Sequence, residues 1–414
     1  MKKRILLIGY NFSPEPTGIG KYSGEMMAWL AKNNYQCEVI TAYPYYPQWK
    51  VDSSYYNSRY SFKTEAVALA PGSTLLVHRC PMYVPAAPSG LKRMLLDMSF
   101  SLTAALKLIQ LLFTKKFDIV ITVAPSFQFG LLGILCKKLS KAKFAYHIQD
   151  LQIEAARDLN MIRSKGIIDT LFKVEKFIFN QADHISSISE DMIKKIQAKA
   201  QKEVLLFPNW TDNSLFFPLD NKHGLKEIFG FNANDTIVLY SGAIGEKQGL
   251  EYILHAAKSF ESKQNVKFVI CGSGPYKEKL QSMADGLQLK NVVFLPLQPF
   301  EKFNQFLNMA DIHLVIQKGT AGDLVMPSKL TTILAVGGLA VVTANEGSGL
   351  HSLLKKYNMG LLVEAENQQA LNEGLRRAID EDNQHFTKNA RTYAENYLSI
   401  EKIMTTFERT VIDS

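Results

Sequence analysis

Short runs of apolar, largely β-branched residues recur along the chain, separated by stretches in which apolar residues return at helical spacing. The first kind of run predicts buried strands, the second amphipathic helices. Strands are expected at Arg4–Ile8, Glu38–Thr41, Leu75–His78, Asp118–Val123, Lys143–His147 and His184–Ser187, then at Thr236–Tyr240, Lys267–Cys271, Asn291–Leu295, Asp311–Ile316 and Ala340–Thr343. Helical segments of roughly 10–20 residues fill most intervals, the pattern of parallel sheets with crossover helices. These strands are more than one sheet comfortably holds, so two doubly wound α/β domains are predicted. The strand-like Val204–Phe207 ends at Pro208 and the irregular stretch 213–223 follows, which puts the linker near 205–225. Ligands of open α/β sheets sit at the carboxyl ends of the strands, so two such domains facing each other would make a cleft.

One helical stretch stands apart. In Pro88–Phe113, Leu91, Met94, Leu95, Met98, Leu102, Ala105, Leu106, Ile109 and Phe113 repeat at helical spacing, and Leu96, Phe100, Leu108 and Leu111 make much of the other face apolar as well. Lys92, Arg93, Lys107, Lys115 and Lys116 flank it. A crossover helix buried on the sheet would look like this, and so would a helix lying in a membrane surface with its basic residues at the headgroups.

Charge favours the second reading. Residues 1–205 hold 27 Lys/Arg against 16 Asp/Glu, a net of +11, whereas residues 206–414 hold 20 against 23, a net of −3. The first half is therefore expected to meet an anionic membrane surface. Nucleic acid is not expected as a partner, because no basic region carries interleaved aromatics and no nucleic-acid module is recognisable. The four widely spaced cysteines fit no metal-ligand pattern and suit a reducing compartment. The first apolar run is too short for a signal peptide, and no uncharged window is expected to span a bilayer, which predicts a cytoplasmic protein, peripheral on the inner face of the membrane.

The chemistry concentrates at strand-to-helix turns. Lys318–Asp323 is a polar, glycine-punctuated loop after a buried run, and Pro327-Ser328-Lys329 opens an amphipathic helix that ends at Gly337-Gly338. A helix start offers unpaired N–H groups to an anion, and Lys329 adds a full charge there. This reads as a diphosphate seat, or as an ordinary capped helix with a solvated lysine. Ser241–Gly249 makes a second such turn, with Gly242, Gly245 and Lys247, and Gly272-Ser273-Gly274 a third. Lys247 and Lys329 are expected to converge on one doubly charged group. Near the N-terminus, Gly18 and Gly20 let a backbone approach a ligand closely, unless they serve only a structural turn. The dinucleotide fingerprint fails, since Ser23 stands where its third glycine would fall and no acid ends the second strand. His147 ends a strand, with Gln149 and Asp150 just beyond, and is either a cleft residue or a satisfied structural group. Asp380-Glu381-Asp382 reads as a solvated helix end. No zinc site, nucleophile elbow or Walker loop is present.

These segments together, with Pro44-Tyr45-Tyr46-Pro47-Gln48-Trp49, Pro208-Asn209-Trp210-Thr211-Asp212 and Asp323-Leu324-Val325-Met326-Pro327-Ser328-Lys329-Leu330, resemble family-4 retaining glycosyltransferases of the GT-B fold over nearly the whole chain. The likeness extends to the WcaI-type enzymes of colanic acid and related exopolysaccharide assembly. The resemblance implies two Rossmann-like domains facing across a cleft, an acceptor domain over 1–205, a donor domain over 206–395, and a C-terminal helix over 396–414 crossing back. It implies transfer of a sugar, fucose from GDP-fucose in this subgroup, from a nucleotide-sugar donor to a lipid-linked acceptor, with no cofactor and no metal. By the same resemblance His147, Lys247 and Lys329 are the catalytic set. Gly18, Gly20, Gly242, Gly245, Gly274, Asp323, Met326, Pro327, Ser328 and Leu330 would bind the donor, and Tyr45, Tyr46 and Asp150 the acceptor. Two departures stand out. Ala243 and Ile244 occupy the turn where relatives carry an arginine, and the paired glutamates are missing, with Asp323 near the first and Thr331 or Thr332 at the second.

The expected mechanism needs no protein nucleophile. The acceptor hydroxyl attacks on the face the nucleotide leaves, the departing diphosphate oxygen takes its proton, and lysines and helix N–H groups stabilise the growing charge. A nucleotide-sugar epimerase of the same fold and a non-catalytic nucleotide-sugar binding protein are the rival readings.

Overall fold

The structure is a computed structural model that describes residues 2–15, 18–87, 89–158, 164–318 and 327–414; the side chains of Ala155, Ala156, Asp158 and Lys247 also lie outside the description. The chain forms two compact units, 1–208 with 404–414, and 209–403. Among the described residues each contains a single sheet.

In the first unit the strands are β1 (Arg4–Ile8), β2 (Gln36–Ala42), β3 (Lys63–Ala70), β4 (Ser73–Cys80), β5 (Ile119–Ala124), β6 (Lys143–Ile148), β7 (His184–Ser187) and β8 (Leu205–Leu206), ordered β3-β4-β2-β1-β5-β6-β7-β8. All pairs are parallel except β3 with β4. A parallel sheet is covered on both faces by its crossover helices, so its strands become apolar throughout. Accordingly β5, Ile-Val-Ile-Thr-Val-Ala, is buried at every position. The antiparallel β3 lies at the edge and is mostly exposed, joined to β4 by a turn at Gly72 with φ +79°. Residues 404–414 close this unit: Phe407 stacks on Phe207 at 4.4 Å, and Lys3 pairs with Asp413 at 3.0 Å.

The second unit holds β9 (Thr236–Ser241), β10 (Val266–Cys271), β11 (Val292–Leu295), β12 (Ile312–Val315), β13 (Leu339–Thr343) and β14 (Leu361–Val363), all parallel in the order β11-β10-β9-β12-β13-β14. This is the Rossmann strand order, with the first strand of the unit at the centre. Alternate residues of one strand feed two cores: Ile237 and Leu239 pack with Val269 and Val342, whereas Val238 and Tyr240 pack with Phe268 and Ile270.

The Gly90–Thr114 helix crosses from β4 to β5. Its inner face, with Leu96, Phe100, Ala104, Leu108 and Leu111, is buried. The outer face is apolar too, with Leu91, Met98, Leu102 and Phe113 exposed by 61–86%. The sequence expectation about spanning a bilayer concerned uncharged windows only, and this helix falls outside it. By length and composition alone this helix qualifies, because an 18-residue window reaches a mean hydropathy of 1.5 with no more than two charged residues. The sequence reading missed this by requiring an uncharged window, while Asp97 and Lys107 turn their charges inward among the buried residues.

Candidate functional site

The carboxyl ends of β9 and β10 and the start of the Ser328–Ala335 helix carry most of the expected donor residues. Two backbone loops interlock there. Gly242 N–H donates to Cys271 O at 3.0 Å, Ile244 N–H to Ser273 O at 2.9 Å, and Tyr276 N–H to Ile244 O at 3.2 Å. Such packing leaves no room for side chains: a Cβ on Gly272 would stand 1.9 Å from Gly242 O, and one on Gly274 would stand 2.2 Å from Ile244 O. Gly242 and Gly274 themselves have φ of +155° and +154°. The glycines thus hold a bare backbone surface at the strand ends, and Gly272 belongs with them although only its neighbours were expected to contact a ligand.

Pro327 precedes the helix, Ser328 is its first residue and lies exposed, and Leu330 is buried with its N–H donating to Pro327 O at 2.8 Å. Lys329 departs from a solvated lysine. Its stem is partly exposed, but the amine turns inward, is buried and has no hydrogen-bond partner among the described residues. It sits 3.8 Å from the centroid of the Tyr240 ring, and a Cβ on Gly242 would come within 3.3 Å of it. Burial pushes its pKa down to about 7. Lys329 and Gly242 are therefore brought together. Gly245 precedes the 3₁₀ turn Glu246–Gln248, which contains the backbone of Lys247 and closes at Gly249 with φ +67°. The Lys247 side chain, Asp323 and Met326 lie outside the described residues.

In the first unit, Gly18 opens the Gly18–Lys32 helix at φ +60°. Gly20 lies against Glu15, where a Cβ would come 2.7 Å from the carboxylate oxygen. Glu15 was not anticipated. It is 4% exposed and accepts from Asn11 Nδ2 at 2.8 Å and from the N–H groups of Tyr45 and Tyr46 at 3.1 and 3.0 Å. One carboxylate thus joins the loop after β1 to the loop after β2, despite a pKa raised by burial against these hydrogen bonds. Its signal in the sequence was an acid flanked by prolines in a turn that otherwise lacks charge.

Tyr45 is buried edge-on to Tyr10 at 6.3 Å and to Trp49 at 5.7 Å, whereas Tyr46 is 40% exposed. Arg93 stands over the Trp49 ring at 5.2 Å. Asp150, just past β6, has its pKa raised by desolvation, which the Leu151 N–H opposes. Asp97 and Asp150 both raise the pKa of Tyr10, against whose ring Tyr45 packs, so the expected acceptor residues Tyr45 and Asp150 share one cluster. Asp97 was missed. It is the lone acid of the Gly90–Thr114 helix, is buried, and accepts from Gln152 Nε2 at 3.0 Å; desolvation lifts its pKa to about 6.

His147 is the next-to-last residue of β6 and 3% exposed. Its Nδ1 lies 3.0 Å from Ser186 Oγ and its ring meets Phe207 edge-on at 5.0 Å. Burial lowers its pKa to about 3, so it stays neutral at physiological pH.

Comparisons with known proteins agree with this architecture. Residues 17–210 match the Glycosyl transferase 4-like domain and residues 221–395 the Glycosyl transferases group 1 family. The chain is 39% identical over 412 residues to the putative colanic acid biosynthesis glycosyl transferase WcaI of Escherichia coli K12, covering 98% of each. A shorter match, 32% over 131 residues and about a third of each chain, is to the putative colanic acid glycosyltransferase WcaL of Salmonella typhimurium. Among solved structures, sucrose-phosphate synthase from Thermosynechococcus elongatus superposes with a TM-score of 0.72 at 15% identity, covering 100% of this chain and 99% of that one. Anabaena HepE in complex with UDP-glucose gives 0.69 at 14%, covering 99% and 100%. The fold is GT-B, with two Rossmann-like domains, and the chain belongs to the nucleotide-sugar glycosyltransferase family that includes WcaI.

Proposed function

We propose that this glycosyltransferase moves a sugar, with retention of configuration, from a nucleotide-sugar to a lipid-linked saccharide during assembly of a colanic-acid-like exopolysaccharide. The observation that carries the reading is the Lys329 amine, buried, without a hydrogen-bond partner among the described residues, and set beside the bare backbone at Gly242. A buried amine left unpaired is costly, and a diphosphate would give it both a charge partner and hydrogen bonds. The helix start at Ser328 adds N–H groups to the same place. At the transition state the leaving diphosphate gains charge, so these groups would stabilise it more than the bound donor.

The colanic acid role rests on the likeness to WcaI, and the diphosphate donor is supported by the UDP-glucose in HepE. GDP-fucose is the donor to try first. The exposed apolar row of the Gly90–Thr114 helix supports a place on the inner face of the membrane, where a lipid-linked acceptor resides.

The test is release of nucleoside diphosphate from a panel of nucleotide sugars, alone and then with a lipid-linked saccharide. Acceptor-dependent release with a product that keeps the anomeric configuration of the donor supports the proposal. Turnover of the donor without acceptor indicates an epimerase or hydrolase, and tight binding without turnover a binding protein.

A further inference from the structure

Tyr240 is fully buried near the end of β9, and a phenylalanine would fill its place in the core equally well. Its two polar features both point to the strand-end turn. The hydroxyl donates to Ala243 O at 2.7 Å, inside the glycine-rich turn. The face of the ring carries the Lys329 amine at 3.8 Å. Gly242 lies between, its would-be Cβ 3.3 Å from the amine and 3.6 Å from the Tyr240 hydroxyl.

We infer that Tyr240 is a positioning residue of the donor seat, its ring face holding the Lys329 amine beside Gly242 while its hydroxyl fixes the turn at Ala243. The inference rests on the reading of that seat as a diphosphate site. The negative face of an aromatic ring attracts an ammonium group, most strongly where water is excluded. The ring therefore favours the charged form of Lys329 against its burial and keeps it aimed at the turn. Among the described residues no charged side chain contributes to the lowered pKa of Lys329, and burial alone accounts for it. The titratable neighbours by chain position are Tyr240 on β9, Glu246 and Lys247 on the turn, Cys271 at the end of β10, and Asp323 six residues before Lys329.

The experiment is calorimetric titration of the full chain with GDP and with UDP between pH 6 and 9. Because a diphosphate takes the charged amine, affinity in the unaltered protein falls as pH rises above about 7. Tyr240→Leu should move that fall to lower pH and weaken binding at pH 7.5 by roughly 2- to 30-fold, the range of a ring–cation contact. Tyr240→Phe keeps the ring and should leave the midpoint in place. Pentafluorophenylalanine at 240 has nearly the same shape with reversed ring polarity, and should move the midpoint as leucine does even if the leucine variant folds poorly.

An unmoved midpoint with the fluorinated ring overturns the inference, as does a midpoint that moves in Asp323→Asn instead. Lys329→Met separates the two levels: undiminished GDP and UDP affinity in that variant sinks the seat itself, whereas lost affinity with an unmoved midpoint in the ring variants sinks only the role of Tyr240.

Discussion

Gly272 lies so close beneath Gly242 that a Cβ on the first would stand 1.9 Å from the carbonyl oxygen of the second. No rotamer relieves such an overlap, because both partners are backbone. Gly272→Ala should force the two strand-end loops apart, destabilise the second unit by about 1–3 kcal/mol, and weaken binding of a nucleoside diphosphate. Gly286, which has nothing within 4 Å of its would-be Cβ and ends the Lys277–Gly286 helix, is the control. Alanine there should be neutral or slightly stabilising. Thermal unfolding checks both, and an equal midpoint for the two variants would contradict the interlocked geometry.

Lys329 should trade stability for activity. Its amine is buried with no hydrogen-bond partner among the described residues, and methionine, one atom shorter, fills most of the same space without needing one. Lys329→Met is expected to raise the unfolding midpoint while lowering turnover roughly 10²–10³-fold. The pH dependence has a definite sign. With a folded pKa of about 7 against an ordinary lysine value of 10.5, the unfolded chain binds more protons between those limits, so the stability of the unaltered protein gains as pH rises through that window. The advantage of the methionine variant should accordingly be largest at or below pH 7 and shrink towards pH 10. Denaturant unfolding across that range decides it.

The strands were legible where they are buried on both faces. Residues 5–8 of β1, residues 339–342 of β13 and, apart from Thr122, all of β5 are apolar because helices cover them on both sides. The expected strands omit β3, whose alanine-rich Lys63–Ala70 faces solvent at an antiparallel edge and shows no burial pattern, and β14, whose three residues are too few to show one. The site divides in the same way. Glycine spacing pointed to the turns at Gly242 and Gly274, which follow from local chain geometry. Glu15, Asp97 and Tyr240 were illegible as site residues because their partners are 30, 55 and 89 positions away in Tyr45, Gln152 and Lys329. Only the folded chain brings such pairs together.

His147 should not titrate in the physiological range. With its pKa pushed down to about 3 by burial, it carries no charge between pH 5 and 8, and any limb of the pH–rate profile there must come from another group. Proton NMR of the imidazole should show no titration above about pH 4. His313, buried with a pKa of about 3 in the second unit, behaves alike. Both histidines bind protons more readily unfolded than folded between pH 3 and 6.5, so each contributes stability that is lost as pH falls through that window. Replacing His313 by glutamine should flatten the acid side of the stability curve, and an unchanged curve would show that its burial is relieved in solution.

The helix that carries Asp97 inward presents Met98 and Leu102 outward, 61% and 65% exposed. Exposed apolar side chains in one row, on a unit whose sequence half carries a net charge of +11, suit the interface of an anionic bilayer. Burying a leucine or methionine in that interface is worth about 1.5–3 kcal/mol when complete, so glutamates at both positions should reduce binding to phosphatidylglycerol vesicles by at least about 10-fold. The fold should be unaffected, because neither side chain contributes to the core, and turnover of a water-soluble acceptor analogue should persist while turnover of a vesicle-embedded one falls. Added salt should weaken vesicle binding of the unaltered protein without abolishing it, since screening acts on the basic residues and not on the apolar row. Co-sedimentation measures both effects. Equal binding of the double variant would leave this outer face without a membrane role.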